Sequence, residues 1–329
     1  MRTLLVFLLV PSIASAGVYA TAEPCPFAIK PDGSAEELSF KPDKSGRFKQ
    51  ELTKYELILN PEKKSPERDA VLARLAKDAP PADRAADLIR LGRLDDALNL
   101  LEPRTRDRVP DFRVLANLAH AYAVRGDYPD AIRKHAAAWL DAEFPTELPG
   151  TTAAQVKWLK RVEKDYYTRW LKLHRDRSEK KGSPDAEEVL PLFDGKPPPD
   201  AIAITQQLLL WAPADTSLLW LLAELYAADG RVREAEVLFD DCAWSRSYSN
   251  RKLLMAHREA VRRAVAALPP PVEESLVLPT TPDKPKKEAT LEDIGLSENS
   301  LIAFGAVFGS LAVLLIALQI RAIRRRSRK

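Results

Sequence analysis

Two stretches of this chain spell one pattern. Leu115-x2-Leu118-Ala119-x2-Tyr122, then Gly126, then Ala131-x3-His135 recurs as Leu219-x2-Leu222-Ala223-x2-Tyr226, Gly230 and Ala235-x3-Phe239. The first four positions of each fall at i, i+3, i+4 and i+7, one stripe of an α-helix. The glycine breaks the stripe as a turn does, and the alanine of the second half lets two helices approach closely. The pattern constrains the fold because one such hairpin cannot bury its apolar face alone, so copies must stack. A partial copy precedes them: Gly92 lies 34 residues before Gly126, and Ala97 and Leu101 take the places of Ala131 and His135. Gly126 and Gly230 are 104 residues apart, three periods of 34 plus 2. One register before the last copy, Asp200 through Trp211 and Pro213 reads as a second helix with its terminal proline. Four in-register units follow, 78–111, 112–145, 182–215 and 216–249.

These residues resemble the tetratricopeptide repeat (TPR), a helix–turn–helix unit of about 34 residues. The departures are Leu115 for the usual Trp, His135 for the usual aromatic, and a late Pro145. The resemblance implies an all-α repeat solenoid that binds a protein or peptide segment in a groove lined by the first helix of each hairpin. That groove stripe would hold Arg113, Asn117, His120 and Val124 in the second unit, and Ser217, Trp220, Glu224 and Ala227 in the last. Asn117 is suited to bond a peptide backbone and Trp220 to anchor a side chain. Arg113, Asn117, His120, Trp220 and Glu224 are therefore the candidate partner-binding residues.

Both ends read as membrane-directed. Arg2, the apolar run Leu4 to Val10 and Ala14-Ser15-Ala16 make residues 1–16 a signal peptide, with an alternative end at 22 after Ala20-Thr21-Ala22. Residues 301–320 carry no charge over 20 positions, about 30 Å of helix and the thickness of the hydrocarbon layer. Arg321, Arg324, Arg325, Arg326, Arg328 and Lys329 follow, while Glu292, Asp293 and Glu298 precede. The positive-inside rule then puts the basic tail 321–329 in the cytoplasm and the repeat domain outside, a type I single-pass protein. Gly305-x3-Gly309 matches the small-x3-small packing motif and marks a candidate homodimer contact within the span.

Between the ends, residues 17–66 read as an irregular lead-in with a short helix at 48–59. The repeat domain covers 67–268, opening with an amphipathic segment at 67–77 that stacks as a cap. No glycine breaks 152–181, so a single long helix is expected there, capped by Thr151 or Thr152. Its apolar stripe is Val156, Leu159, Val162, Tyr166, Trp170 and Leu173, with Trp158 and Tyr167 among the basic faces. Ten Lys or Arg against four Asp or Glu give a net +6 over residues 151–181, against +3 for the whole chain. Residues 251–268 read as a capping helix with Leu254, Val261, Val265 and Leu268 on one side. Residues 269–300 form a linker whose six prolines before Lys287 favour an extended spacer.

No nucleotide-binding, nucleophile-elbow, zincin or dithiol motif occurs, and the four histidines have no metal-ligand spacing. No enzyme activity, metal or cofactor is expected. Two cysteines, Cys25 and Cys242, leave one disulfide open in an oxidising compartment. The expected function is a tethered extracytoplasmic scaffold for a protein or peptide. The alternatives are a self-assembling envelope protein, or a binder of membrane surface or acidic polymer through the basic helix 152–181; an extracytoplasmic domain makes nucleic acid a poor partner.

Overall fold

The computed structural model describes residues 25–180, 190–245 and 250–269. The signal segment, most of the linker, the apolar segment 301–320 with Gly305 and Gly309, and the basic tail lie outside the described residues. Among the described residues the fold is all-α, with no strand beyond an isolated bridge between Ile29 and Ala35. No described helix is long and apolar enough to cross a membrane.

Twelve α-helices are described. They are α1 (Arg47–Leu59), α2 (Pro66–Leu75), α3 (Pro81–Arg90), α4 (Leu94–Leu101), α5 (Phe112–Arg125), α6 (Tyr128–Asp141), α7 (Ala153–Arg161), α8 (Thr168–Glu179), α9 (Ala201–Trp211), α10 (Thr216–Ala228), α11 (Val232–Ser245) and α12 (Arg251–Ala266). Three pairs, α3–α4, α5–α6 and α10–α11, are hairpins of one construction. Each turns through a left-handed glycine, Gly92, Gly126 or Gly230, with φ of 73°, 86° and 80°. In each, the next residue's amide bonds back five positions: Arg93 to Leu88, Asp127 to Tyr122 and Arg231 to Tyr226, all at 2.9 Å. The glycine amide bonds back three, to Ile89, Ala123 and Ala227. That is a Schellman termination, which satisfies the last carbonyls of the first helix.

The repeated apolar positions are the contact residues. Leu115, Leu118, Ala119 and Tyr122 are buried, as are Leu219, Leu222, Ala223 and Tyr226. Ala97, Ala131 and Ala235 are each wholly buried, and Leu101, His135 and Phe239 fill equivalent places beside them. The unit 182–215 departs from the expectation. Residues 190–200 contain no helix, because Pro197, Pro198 and Pro199 cannot supply helical amides. α9 holds the second-helix position and packs on α10, α1 and the long helix before it.

That long helix begins at Thr152, whose side chain and that of Gln155 form a capping box. It continues through a π-turn, Val162–Tyr167, into α8. A π-turn holds more residues than an α-turn, so the faces downstream are rotated from a regular 3.6-residue period. Tyr167, read among the basic residues, is buried; it stands eleven positions after Val156, on the same face of a helix. Trp158 is buried as well, under the ring of Phe27 at 5.0 Å. Leu268, read on the packing side of the capping helix, is exposed, as is Leu72 of α2.

Phe27 belongs to the lead-in, which is irregular in backbone but part of the core. Gln155 donates to the carbonyls of Cys25 and Phe27. The Ala35 amide donates to Asp200. Gln206 clamps both sides of Leu38, at 2.8 and 2.9 Å. Phe40 stacks on Tyr226, and Glu37 pairs with Arg231. The segment thus runs as a strap from α7 across α9 to the α10–α11 turn. Cys25 and Cys242 are both buried and each is a thiol, not half of a disulfide.

Candidate functional site

The groove stripe does not form one open surface. Asn117 is fully buried, and its amide donates to the Ala82 carbonyl at 2.9 Å, joining α5 to the first turn of α3. Trp220 is buried too. Its indole donates to Glu224 at 2.8 Å, and its ring meets His257 of α12 at 5.9 Å. Glu224 also contacts His257, so this part of the stripe is covered by the capping helix. Arg113 pairs with Asp111 at 3.0 Å and with Asp83 at 4.0 Å. Asn117 and Trp220, expected to meet a partner directly, both have neighbouring helices packed against them.

His120 and Val124, the other two stripe residues of α5, line a cavity of about 350 Å³. Early helices supply one side of it, with Tyr55 from α1 and Arg90 from α3. Late elements supply the other, with Trp170 and His174 from α8, Trp211 from α9 and the connection 212–216. Val124 and Ala214 are exposed and mark its mouth. Tyr128 completes the wall; its ring stacks on His174 at 5.2 Å, and Trp170 meets the same imidazole at 4.8 Å.

The polar groups of this cavity are held mainly by the protein itself. Asp215 caps α10, its Oδ1 accepting the amides of Ser217 and Leu218 at 2.7 and 2.9 Å. Its Oδ2 accepts the Trp170 indole at 2.7 Å and lies 2.8 Å from His174 Nε2. Burial raises the Asp215 carboxyl, but His174, the Leu218 amide and the Trp170 indole outweigh it and hold the group below the usual range. His120 is buried; its Nδ1 lies 2.8 Å from the Tyr167 hydroxyl and the ring also bonds the Trp211 backbone. Burial pushes that imidazole down to about 4, with Arg90 adding to the effect, so it is neutral at ordinary pH. Arg90 is buried beside Asp87, which it meets at 3.3 Å and which also binds Arg74 at 2.7 Å. Burial lowers Arg90 to about 9, still a cation at neutral pH. The Tyr55 hydroxyl and His174 Nε2, the latter close to Asp215, are buried atoms that make no hydrogen bond among the described residues.

Tyr55, Tyr128, Trp170, His174, Trp211 and Asp215 were not apparent as site residues in the sequence. Two signals were there. Trp170 and His174 stand four apart on one helix face, and Asp215 precedes an apolar helical run as an N-cap does. Their meeting with His120 depends on contacts far apart in the chain. Among the described residues no group of three or more His, Cys, Asp or Glu is placed to hold a metal ion. Comparison with protein-family models, with curated proteins and with solved structures finds no match to this chain.

Proposed function

We propose that this chain is a TPR-like helical-repeat scaffold, tethered by its apolar segment 301–320, that holds a protein or peptide partner outside the cytoplasm without catalysis. The observation that carries the reading is the cavity beside His120 and Val124. It is concave, rich in aromatic side chains and open at one end, the form of a preformed recognition pocket. Its wall joins first helices of the early hairpins to the helices that follow, so a bound segment would contact several units at once. Supporting the tether are the uncharged 20-residue run and the basic tail behind it. Anchoring at a membrane raises the local concentration of scaffold near partners in the same membrane.

The test is an in-cell crosslink and pull-down of the full-length protein beside a Val124→Trp variant. Val124 is 44% exposed, so a larger side chain there obstructs the mouth without entering the core. A partner recovered with the native chain and lost with the variant supports the reading. Recovery of the chain alone, unchanged by the substitution, refutes it and favours self-assembly.

A further inference from the structure

We infer that residues 25–40 are an exchangeable strap: two copies of this chain lend them to each other, so that the seat on α7, α9 and the α10–α11 turn is filled by the neighbouring copy. Pro26, Pro31 and Gly33 keep the segment from forming a helix. Apart from a short turn around Gly33, its main chain is bonded by side chains from far ahead. The Cys25 amide reaches Thr151, Gln155 donates to the Cys25 and Phe27 carbonyls, the Ala35 amide donates to Asp200, and Gln206 bonds both sides of Leu38. Phe27, Leu38 and Phe40 are the buried anchors. A seat built this way reads an extended main chain and a few apolar side chains. Left empty, it would expose its apolar wall and take the donor from Gln206 Oε1, which is costly. A departing strap must therefore be replaced by an extended segment of the same spacing, and the segment seen to fit is carried by every other copy.

The joint is the turn 41–46, of which residues 41–45 are exposed. Lys44 has φ 62° and is the one described residue other than glycine in the left-handed region, which residues with a side chain seldom adopt. Gly46, at φ 112°, runs so close to the Ser39 carbonyl that a side chain there would collide with it. The pair that ties the turn down, Lys44 with Asp241 at 2.7 Å, is half exposed on the lysine side and contributes little. Next to the joint, a cavity of about 120 Å³ is left between Phe40 and Phe48, Leu52, Leu219 and Leu238. The closed turn is thus the strained and loosely packed end of a strap whose other contacts are the same whichever copy supplies it. A short hinge under strain favours exchange of the segment it carries. Copies held in one membrane by residues 301–320, as proposed above, meet at raised local concentration.

The experiment co-expresses two full-length chains with different tags, one carrying Glu37→Cys and the other Arg231→Cys, and treats the membranes with a short bismaleimide. Glu37 and Arg231 pair across the seat and are both partly exposed, whereas Cys25 and Cys242 are buried. We expect a product that joins the two tags through residues 37 and 231, identified by peptide mass. A Gly-Ser-Gly-Ser insertion after Asp43 relaxes the turn and should lower that product by about threefold or more; a link made by chance collision would not fall. One chain carrying both substitutions shows that the strap is seated. Light scattering of the unsubstituted chain in detergent should give a dimer. No cross-tag product where the doubly substituted chain does crosslink, a product unchanged by the insertion, or a monomer at every concentration overturns the inference. A partner lost on Val124→Trp with no cross-tag product leaves the scaffold reading standing and the exchange fallen. A cross-tag product with a pull-down indifferent to Val124→Trp leaves the exchange standing and the scaffold reading fallen.

Discussion

Removing the Asp200 carboxylate should destabilise the fold by several kilocalories per mole, because one buried group joins three remote parts of the chain. Its side chain is 1% exposed. Oδ2 accepts the Ala35 amide at 3.2 Å, the Trp158 indole at 2.9 Å, and the Arg161 guanidinium. In Asp200→Ala two of these donors are left buried without an acceptor, each costing about 1–3 kcal/mol. Arg161 is 37% exposed and can turn to water, so its share is small. The expected loss is about 3–4 kcal/mol. Asp200→Asn keeps an oxygen for the indole and the amide but puts an NH2 where the buried Oδ1 has no partner, so about 1–3 kcal/mol is expected. Urea unfolding of the full chain in detergent, followed by tryptophan fluorescence, measures both. Limited proteolysis should find residues 25–40 opened in the alanine variant and protected in the asparagine one. An alanine variant within about 1 kcal/mol of the native chain, with the strap still protected, would refute the reasoning.

Gly126→Ala should cost about 1–2 kcal/mol in thermal or urea unfolding, and Gly126→Asn less. No atom lies within 4 Å of an added Cβ there, so the cost is backbone conformation alone. His120 should make stability depend on pH. Its folded value, about 4, is below the ordinary 6.5, so its contribution is complete above 6.5 and is lost as pH falls from about 6.5 to about 4. The slope is at most about 1.4 kcal/mol per pH unit, and His120→Gln should flatten this part of the unfolding profile. Both cysteines should resist a thiol reagent until the chain is unfolded, since both are buried and burial pushes the Cys25 thiol up to about 11. Fast labelling under native conditions, or a mobility change on reduction, would contradict that.

The local part of this fold could be read directly. Gly92, Gly126 and Gly230 mark turns because a left-handed residue follows the last helical one, and the stripes at 115–122 and 219–226 follow from helical period. The helix Arg251–Ala266 and the unbroken run from Ala153 to Glu179 were legible for the same reason. Long-range placement was not. Asn117 lies on the stripe where a groove residue would lie, yet the register of α3 against α5 puts the Ala82 carbonyl over it. Trp220 disappears beneath a helix that begins about thirty residues later in the chain. The cavity was only half visible: His120 and Val124 were on the expected stripe, but the residues facing them come from α1, α8 and the α9–α10 connection.

The strap has a consequence for how such a chain can change its length. A stack in which each repeat touches only its neighbours tolerates the gain or loss of a unit, because no contact spans the insertion. Here the first described residues reach hydrogen-bonding partners 126 to 194 positions away. A duplicated hairpin between them would lift Leu38 off Gln206 and Phe40 off Tyr226, and a deleted one would leave the strap slack over an exposed core. The number of units is therefore fixed by a ruler laid across them. During synthesis that ruler must wait for the α10–α11 turn before it can close, so residues 25–40 stay without their partners until most of the described helices have been made.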